Sequence, residues 1–157
     1  MKIELVSVGK LHDKLLITAI EDFTNRIKKY FSVDWKIIAT PKNAASLSET
    51  DLKKSEAESI LQQLTEDDYL ILLDEKGKNI SSIELSNFIQ QRANMSCKKL
   101  VFLIGGAFGV DEKINQRANF VWSLSKLVFP HMLVRLILAE QVYRACSILR
   151  NEKYHHI

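Results

Sequence analysis

Two short, almost wholly apolar runs, Tyr69–Asp74 (YLILLD) and Leu100–Ile104 (LVFLI), constrain the fold of this chain more than any other feature. A strand with one face in water alternates apolar and polar residues. A run without alternation belongs to a strand buried on both faces, and such strands sit in parallel sheets with helices covering either side. Helical patterns separate the runs. Leu16, Ile20, Phe23 and Ile27 recur at spacings of four, three and four, which predicts one apolar stripe on a helix over 13–30. Leu52, Ile60, Leu61 and Leu64 mark a second helix, with Ser48 or Thr50 as its N-cap. Ser81 and Glu84 have capping-box spacing and open a third, running to about Ala93. A short helix is expected over 111–118 and a long one over 131–150. Further strands are expected at Lys2–Val8, around Val33, Trp35 and Ile37 as an edge strand, and at Phe120–Leu124. Alternating strands and helices predict an α/β fold, a mostly parallel sheet flanked by helices. The 157 residues suffice for one buried core, and no repeat or linker divides them, so a single domain over 1–157 is expected.

The long last helix is apolar around nearly its whole circumference, from Met132 through Leu149. A surface helix needs only one apolar stripe, so this one must be covered on two sides. A second copy of the chain would supply the cover, and a homodimer is expected; the alternative is a helix sandwiched within one chain.

Glycine is scarce, five in all, and three fall in Gly105-Gly106-Ala107-Phe108-Gly109, directly after a buried strand. Ligands of open α/β sheets gather at the carboxyl ends of strands, where glycine lets backbone approach them closely. The GGxxG spacing departs from the dinucleotide fingerprint, and no GK[ST] follows, which excludes a P-loop. Two more segments should reach the same sheet edge: Leu73, and the loop Leu124-Ser125-Lys126-Leu127-Val128-Phe129-Pro130. Aliphatic side chains interleaved with open backbone amides suit a flat adenine ring.

Charge adds a weaker indication. Residues 1–97 carry 13 Lys/Arg against 15 Asp/Glu, whereas 98–157 carry nine against four. A basic C-terminal third suits a polyanion such as RNA. Cys97 and Cys146 are far apart, without metal-ligand spacing, and read as reduced thiols. His155 and His156 have no Cys/His/Asp cluster to complete a site, so no metal is expected; His12 and His131 read as cap or packing residues. No apolar run reaches the roughly 18 residues of a membrane span, and the opening MKIELVSVGK does not read as a signal peptide, which points to a cytoplasmic protein. On the last helix Glu140 and Arg144 form an i,i+4 pair in the favourable order, either a structural ion pair or an orienting pair in a shared pocket.

Three blocks together carry a resemblance: IGGAFG (Ile104–Gly109), SLSKLVFPH (Ser123–His131) and LAEQVYRACSILRNEKYHH (Leu138–His156). With them, essentially the whole chain resembles the bacterial ribosomal RNA large-subunit methyltransferase H family, SPOUT enzymes that methylate pseudouridine at N3 in 23S rRNA. The resemblance implies a SPOUT fold with a deep trefoil knot over about 100–157, a homodimer, and S-adenosylmethionine held at Leu73, Gly105 and Leu124, Ser125, Lys126, Leu127, Val128 and Phe129. It implies 23S rRNA as partner; because the sequence shows no obvious separate RNA-binding domain, that target is expected in a preformed shape such as the assembled ribosome. It also directs attention to the tail, where His155 is the candidate base or proton relay, Tyr154 the residue that stacks on or positions the target base, and Arg144 the stabiliser of charge on the ring oxygens. His156 stands where the family pattern often has another basic residue. Alternatives are a SPOUT enzyme acting on tRNA, a non-catalytic knotted RNA-binding assembly factor, and an unrelated nucleotide-binding α/β module.

Overall fold

The computed structural model describes residues 1–156. Five strands and five helices follow one another as β1 (Lys2–Val8), α1 (Lys14–Ile27), β2 (Ser32–Ile38), α2 (Glu49–Leu61), β3 (Tyr69–Asn79), α3 (Ser82–Asn94), β4 (Lys99–Ile104), α4 (Glu112–Arg117), β5 (Phe120–Ser123) and α5 (His131–Leu149). A single 3-10 turn, Ala44–Ser46, lies in the loop before α2. Side-chain caps fix where helices begin. The Asp13 carboxylate accepts from the N–H groups of Leu15 and Leu16, Ser48 caps α2, and Ser81 with Glu84 forms the full capping box of α3.

All five strands are parallel, in the order β2-β1-β4-β3-β5. Period-two alternation sends their side chains to opposite faces. One row across the sheet, Trp35–Leu5–Phe102–Ile71–Phe120, faces α1, α3 and α5; Val6, Leu70, Leu72, Val101 and Leu103 face α2 and α4. The central strand β4 is buried on both sides, and each such Leu or Phe contributes about 1.5–3 kcal/mol on leaving water. Chain segments moving toward the β2 edge (β1 to β2, β3 to β4) cross by the α1/α3 face. Segments moving the other way (β2 to β3, β4 to β5) cross by the α2/α4 face. All four crossovers therefore have one hand, as chirality requires. The connections leaving β3 and β4, adjacent strands, depart to opposite faces, and a crevice opens between them.

Two elements differ from the sequence expectation. β3 continues five residues beyond its apolar run, past an irregularity between Leu73 and Lys78, because Lys78 and Asn79 pair with Trp122 and Ser123 of β5. Asn79 also donates from Nδ2 to the carbonyl and hydroxyl oxygens of Ser123, at 3.0 and 3.1 Å. Backbone pairing holds this extension, and hydrophobic periodicity has nothing to register there. The last helix is covered within the chain more than its apolar circumference suggested. α5 lies between α1 and α3 and buries Leu138, Ala139, Val142, Ala145 and Cys146, while Leu133, Leu136, Ile137 and Ile148 remain half-buried. Among the described residues no helix is long and apolar enough to cross a membrane.

Candidate functional site

The crevice at the carboxyl ends of β3 and β4 holds a cavity of about 470 Å³. Leu73 enters from β3, Gly105 from the turn after β4, and Leu124, Ser125, Leu127, Val128 and Phe129 from the loop between β5 and α5. Sequence reasoning had selected all seven. Lys126, in the same loop, does not line the cavity. Phe108 of the glycine turn lines it as well, and so do residues the sequence does not single out as ligand contacts: Asp74 at the end of the apolar run, Glu75 and Lys76 on the β3 extension, Trp122 near the end of β5, and His131 with Val134 on α5. A signal for Trp122 was present, since it is the aromatic that ends a strand beside the loop already singled out.

Local geometry explains the glycine turn. Gly106 and Gly109 form a bridge, with the Gly109 N–H donating to the Gly106 carbonyl at 3.1 Å, and Gly109 has φ +80°, which disfavours a side chain. Gly106 lies against the Glu56 carboxylate of α2: a Cβ there would stand 2.2 Å from Oε2. Burial pushes the Glu56 carboxyl above its ordinary pKa.

Several polar groups around the cavity are left available. The Val128 and Phe129 N–H groups find no partner among the described residues. Neither does the buried indole N–H of Trp122. Asp74 and Glu75 place negative charge at the rim. Burial first, and then the charge of Arg135, push the His131 pKa below its ordinary value, partly offset by a hydrogen bond to the Val8 backbone. Arg135 itself is 1% exposed and has no carboxylate partner among the described residues. It donates to Ser7 Oγ at 2.7 Å, to the carbonyls of Val8, Gly9 and Lys10 at 3.2, 3.0 and 3.1 Å, and to Met132 Sδ at 3.1 Å. It thereby fastens the start of α5 to the end of β1. An adenine between aliphatic side chains, read by open amides, and a cationic group facing the acidic rim both fit this lining.

Far along α5 a second cluster forms. Arg144 donates from Nε and Nη2 to Glu140 Oε1 at 2.9 and 2.5 Å, and Tyr154 O–H donates to the same oxygen at 3.1 Å. The Arg144 guanidinium stacks 4.7 Å from the Tyr154 ring centre, whose other neighbour is Tyr143 at 4.7 Å. Arg144 Nη1 lies 3.4 Å from His155 Nδ1. Glu140 Oε2 accepts from Gln141, whose own oxygen accepts from Ser82 at the start of α3. The tail is turned back by Asn151 in the left-handed region, by the Glu152 N–H donating to Ser147, and by Tyr30 donating to the Glu152 carboxylate at 2.5 Å. The three tail-site residues expected from the sequence, Arg144, Tyr154 and His155, are thus together. They are not at the cavity: Val134 lines it, and ten residues of helix, about 15 Å, separate Val134 from Arg144. His156 is exposed, and Ile157 lies outside the described residues. Among the described residues no three His, Cys, Asp or Glu side chains are grouped to hold a metal ion. Both cysteines are free, and burial raises the Cys146 thiol to about 12, so it is no nucleophile.

A family model described as predicted SPOUT methyltransferase matches residues 1–155. A protein of Flavobacterium johnsoniae named ribosomal RNA large subunit methyltransferase H is 46% identical over 156 residues, covering 99% of each chain. A protein of the same name from Bacteroides thetaiotaomicron is 42% identical over the same length. Among solved structures, a probable methyltransferase from Bordetella pertussis shares the fold at a TM-score of 0.57 and 8% identity, over 92% of this chain and 94% of that one. A probable methylase family protein from Haemophilus influenzae does so at 0.54 and 14%, over 99% and 70%. Matched over nearly its full length by the family model and by relatives above 40% identity, this chain belongs to the SPOUT methyltransferase family.

Proposed function

We propose that this enzyme transfers the methyl group of S-adenosylmethionine to N3 of a pseudouridine in 23S rRNA, as a homodimer in which the tail of one protomer works over the cofactor cavity of the other. The carrying observation is the separation along α5: cavity at its first turns, Arg144, Tyr154 and His155 near its far end. One protomer's tail cannot serve its own cavity across that distance without unwinding, whereas antiparallel pairing of two α5 helices brings each tail to the other's cavity. The half-buried stripe of Leu133, Leu136, Ile137 and Ile148, and the exposed Leu127 (69%) and Val128 (81%) at the cavity mouth, offer the apolar surface for such pairing. The relatives' names supply the rRNA substrate, and the basic C-terminal third suits it.

The cofactor is read at Leu73, Gly105 and Leu124 through Phe129, with Lys126 reaching outward. Its sulfonium supplies an already activated methyl group, so the protein's work is alignment and management of the N3 proton. Tyr154 positions the uracil ring, and Arg144 with His155 addresses the imide. We further read the backbone over about 100–157 as the deep trefoil knot of the family. β5 lies beyond β3, and α5 must return past the connection after β3 to reach its place between α1 and α3. We read the chain as one catalytic unit acting on assembled ribosomes in the cytoplasm, where shape presents the target.

Mixed dimers test the arrangement. One protomer carries a cavity disrupted at its glycine turn (Gly106→Trp, whose side chain displaces the turn from Glu56) and the other lacks residues 154–157. Each homodimer should be inactive, and mixing by co-expression should restore methyl transfer through the one intact composite site. No recovery in verified heterodimers refutes action across the dimer.

A further inference from the structure

We propose that Glu56 of α2 is a positioning residue of the cofactor site: its buried carboxyl group is the backstop that gives the Gly105–Gly109 turn its shape. This inference rests on the reading of the cavity as the place of S-adenosylmethionine.

All five residues of the turn line the cavity, and among the described residues none of α2 does. The turn closes on itself through the bridge between Gly106 and Gly109, so it moves as one piece. Its support from behind differs along its length. A Cβ at Gly105 would stand 2.6 Å from Val110 Cγ1. One at Gly106 would stand 2.2 Å from Oε2 and 2.8 Å from Oε1 of Glu56, so both oxygens face this position. At Gly109 a Cβ would meet nothing within 4 Å. The turn is braced at its first two residues, and Glu56 is the brace that reaches it from another element.

The rest of the buried face of α2 is apolar: Leu52, Ala57 and Ile60. Glu56 is 5% exposed beside them. Neither a hydrogen bond nor a neighbouring charge among the described residues offsets that burial, which raises its pKa. Burying an unpartnered carboxyl group opposes folding, so core packing gives no reason for an acid here. The contact with the turn does. The glycine hydrogen that takes the Cβ direction faces both oxygens, and oxygen approaches a Cα–H more closely than a methyl group can. A leucine end would push α2 and the turn apart. The acid end lets the turn keep its line along the cavity wall.

Calorimetry of S-adenosylmethionine binding to the full-length protein tests this with single and combined substitutions. Glu56→Ala should weaken binding about tenfold, whereas Glu56→Gln, which restores an end of the same shape, should stay within about threefold of wild type. Gly106→Ala should also weaken binding about tenfold. In Glu56→Ala/Gly106→Ala the new methyl group enters the space that the carboxyl group leaves. The double variant should therefore bind more tightly than Gly106→Ala alone, where independent losses would multiply to about 100-fold. A residue that only stabilises the fold would lower the denaturation midpoint and leave binding by the folded protein unchanged. Affinity within about twofold of wild type in Glu56→Ala overturns the proposal, and so does an equally deep loss in Glu56→Gln. A double variant that binds no more tightly than Gly106→Ala overturns it too, even where Glu56→Ala alone fails to fold. Failure of the wild-type protein to bind S-adenosylmethionine would instead remove the cofactor reading, a result distinct from these.

Discussion

Arg135 on α5 reaches back 128 positions to donate a 2.7 Å hydrogen bond from Nε to the hydroxyl of Ser7 on β1, and both side chains are buried. The same guanidinium satisfies three backbone carbonyls, at Val8, Gly9 and Lys10. Removing it leaves these acceptors behind, and hydrogen bonds to a charged group are worth about 1.5–3 kcal/mol each. Arg135→Met should destabilise the protein by about 3 kcal/mol or more, read as a lowered denaturation midpoint with an unchanged urea slope. A loss below about 1 kcal/mol would show that the buried cation is dispensable.

Loss of the tail separates binding from chemistry. Among the described residues, none beyond Val134 lines the cavity. Deleting 154–157 should abolish methyl transfer to ribosomes while calorimetry finds S-adenosylmethionine affinity within a few-fold of wild type. Unchanged turnover by the truncated enzyme would remove the tail from the mechanism.

A Cβ at Gly106 would stand 2.2 Å from Oε2 of the buried Glu56 carboxylate, so either that side chain or the turn must move to admit one. Gly106→Val should push the turn into the cavity at a cost typical of overpacking, about 1–3 kcal/mol. If that cost falls on the ligand-competent turn, cofactor affinity drops by about tenfold or more, since 1.4 kcal/mol is one decade. Retained affinity would mean that the turn does not shape the cofactor site.

His131 gives stability a pH dependence of known sign. Burial and Arg135 hold its folded pKa below the ordinary 6.5. Between the two values the unfolded chain binds the extra proton, so this group's contribution is full above 6.5, declines as pH falls, and levels off below the folded pKa. In denaturant titrations from pH 8 to pH 5, His131→Gln should lose less stability than wild type. Parallel curves would contradict this.

Much of the architecture was legible because burial writes directly into composition. YLILLD and LVFLI announce central strands, and Ser81 with Glu84 announces a helix start. The extension of β3 was not legible, since Glu75–Asn79 is held by backbone pairing and by Asn79 rather than by apolar side chains. The cavity was largely legible because its three segments end at the same sheet edge. Asp74, Glu75, His131 and Val134 join it only through the path of the chain after β3 and β5. The hub role of Glu140 needed coordinates, because i,i+4 spacing predicts its pairing with Arg144 but says nothing of Tyr154 arriving from a folded-back tail.

The central claim is most directly tested by incubating the enzyme with radiolabelled S-adenosylmethionine and ribosomes whose 23S rRNA lacks the modification, then mapping the labelled nucleotide by mass spectrometry. The account predicts one methyl group per large subunit, on N3 of a pseudouridine, with free 23S rRNA and tRNA left essentially unlabelled. Label confined to tRNA, on a different atom, or absent from ribosomes altogether would contradict it.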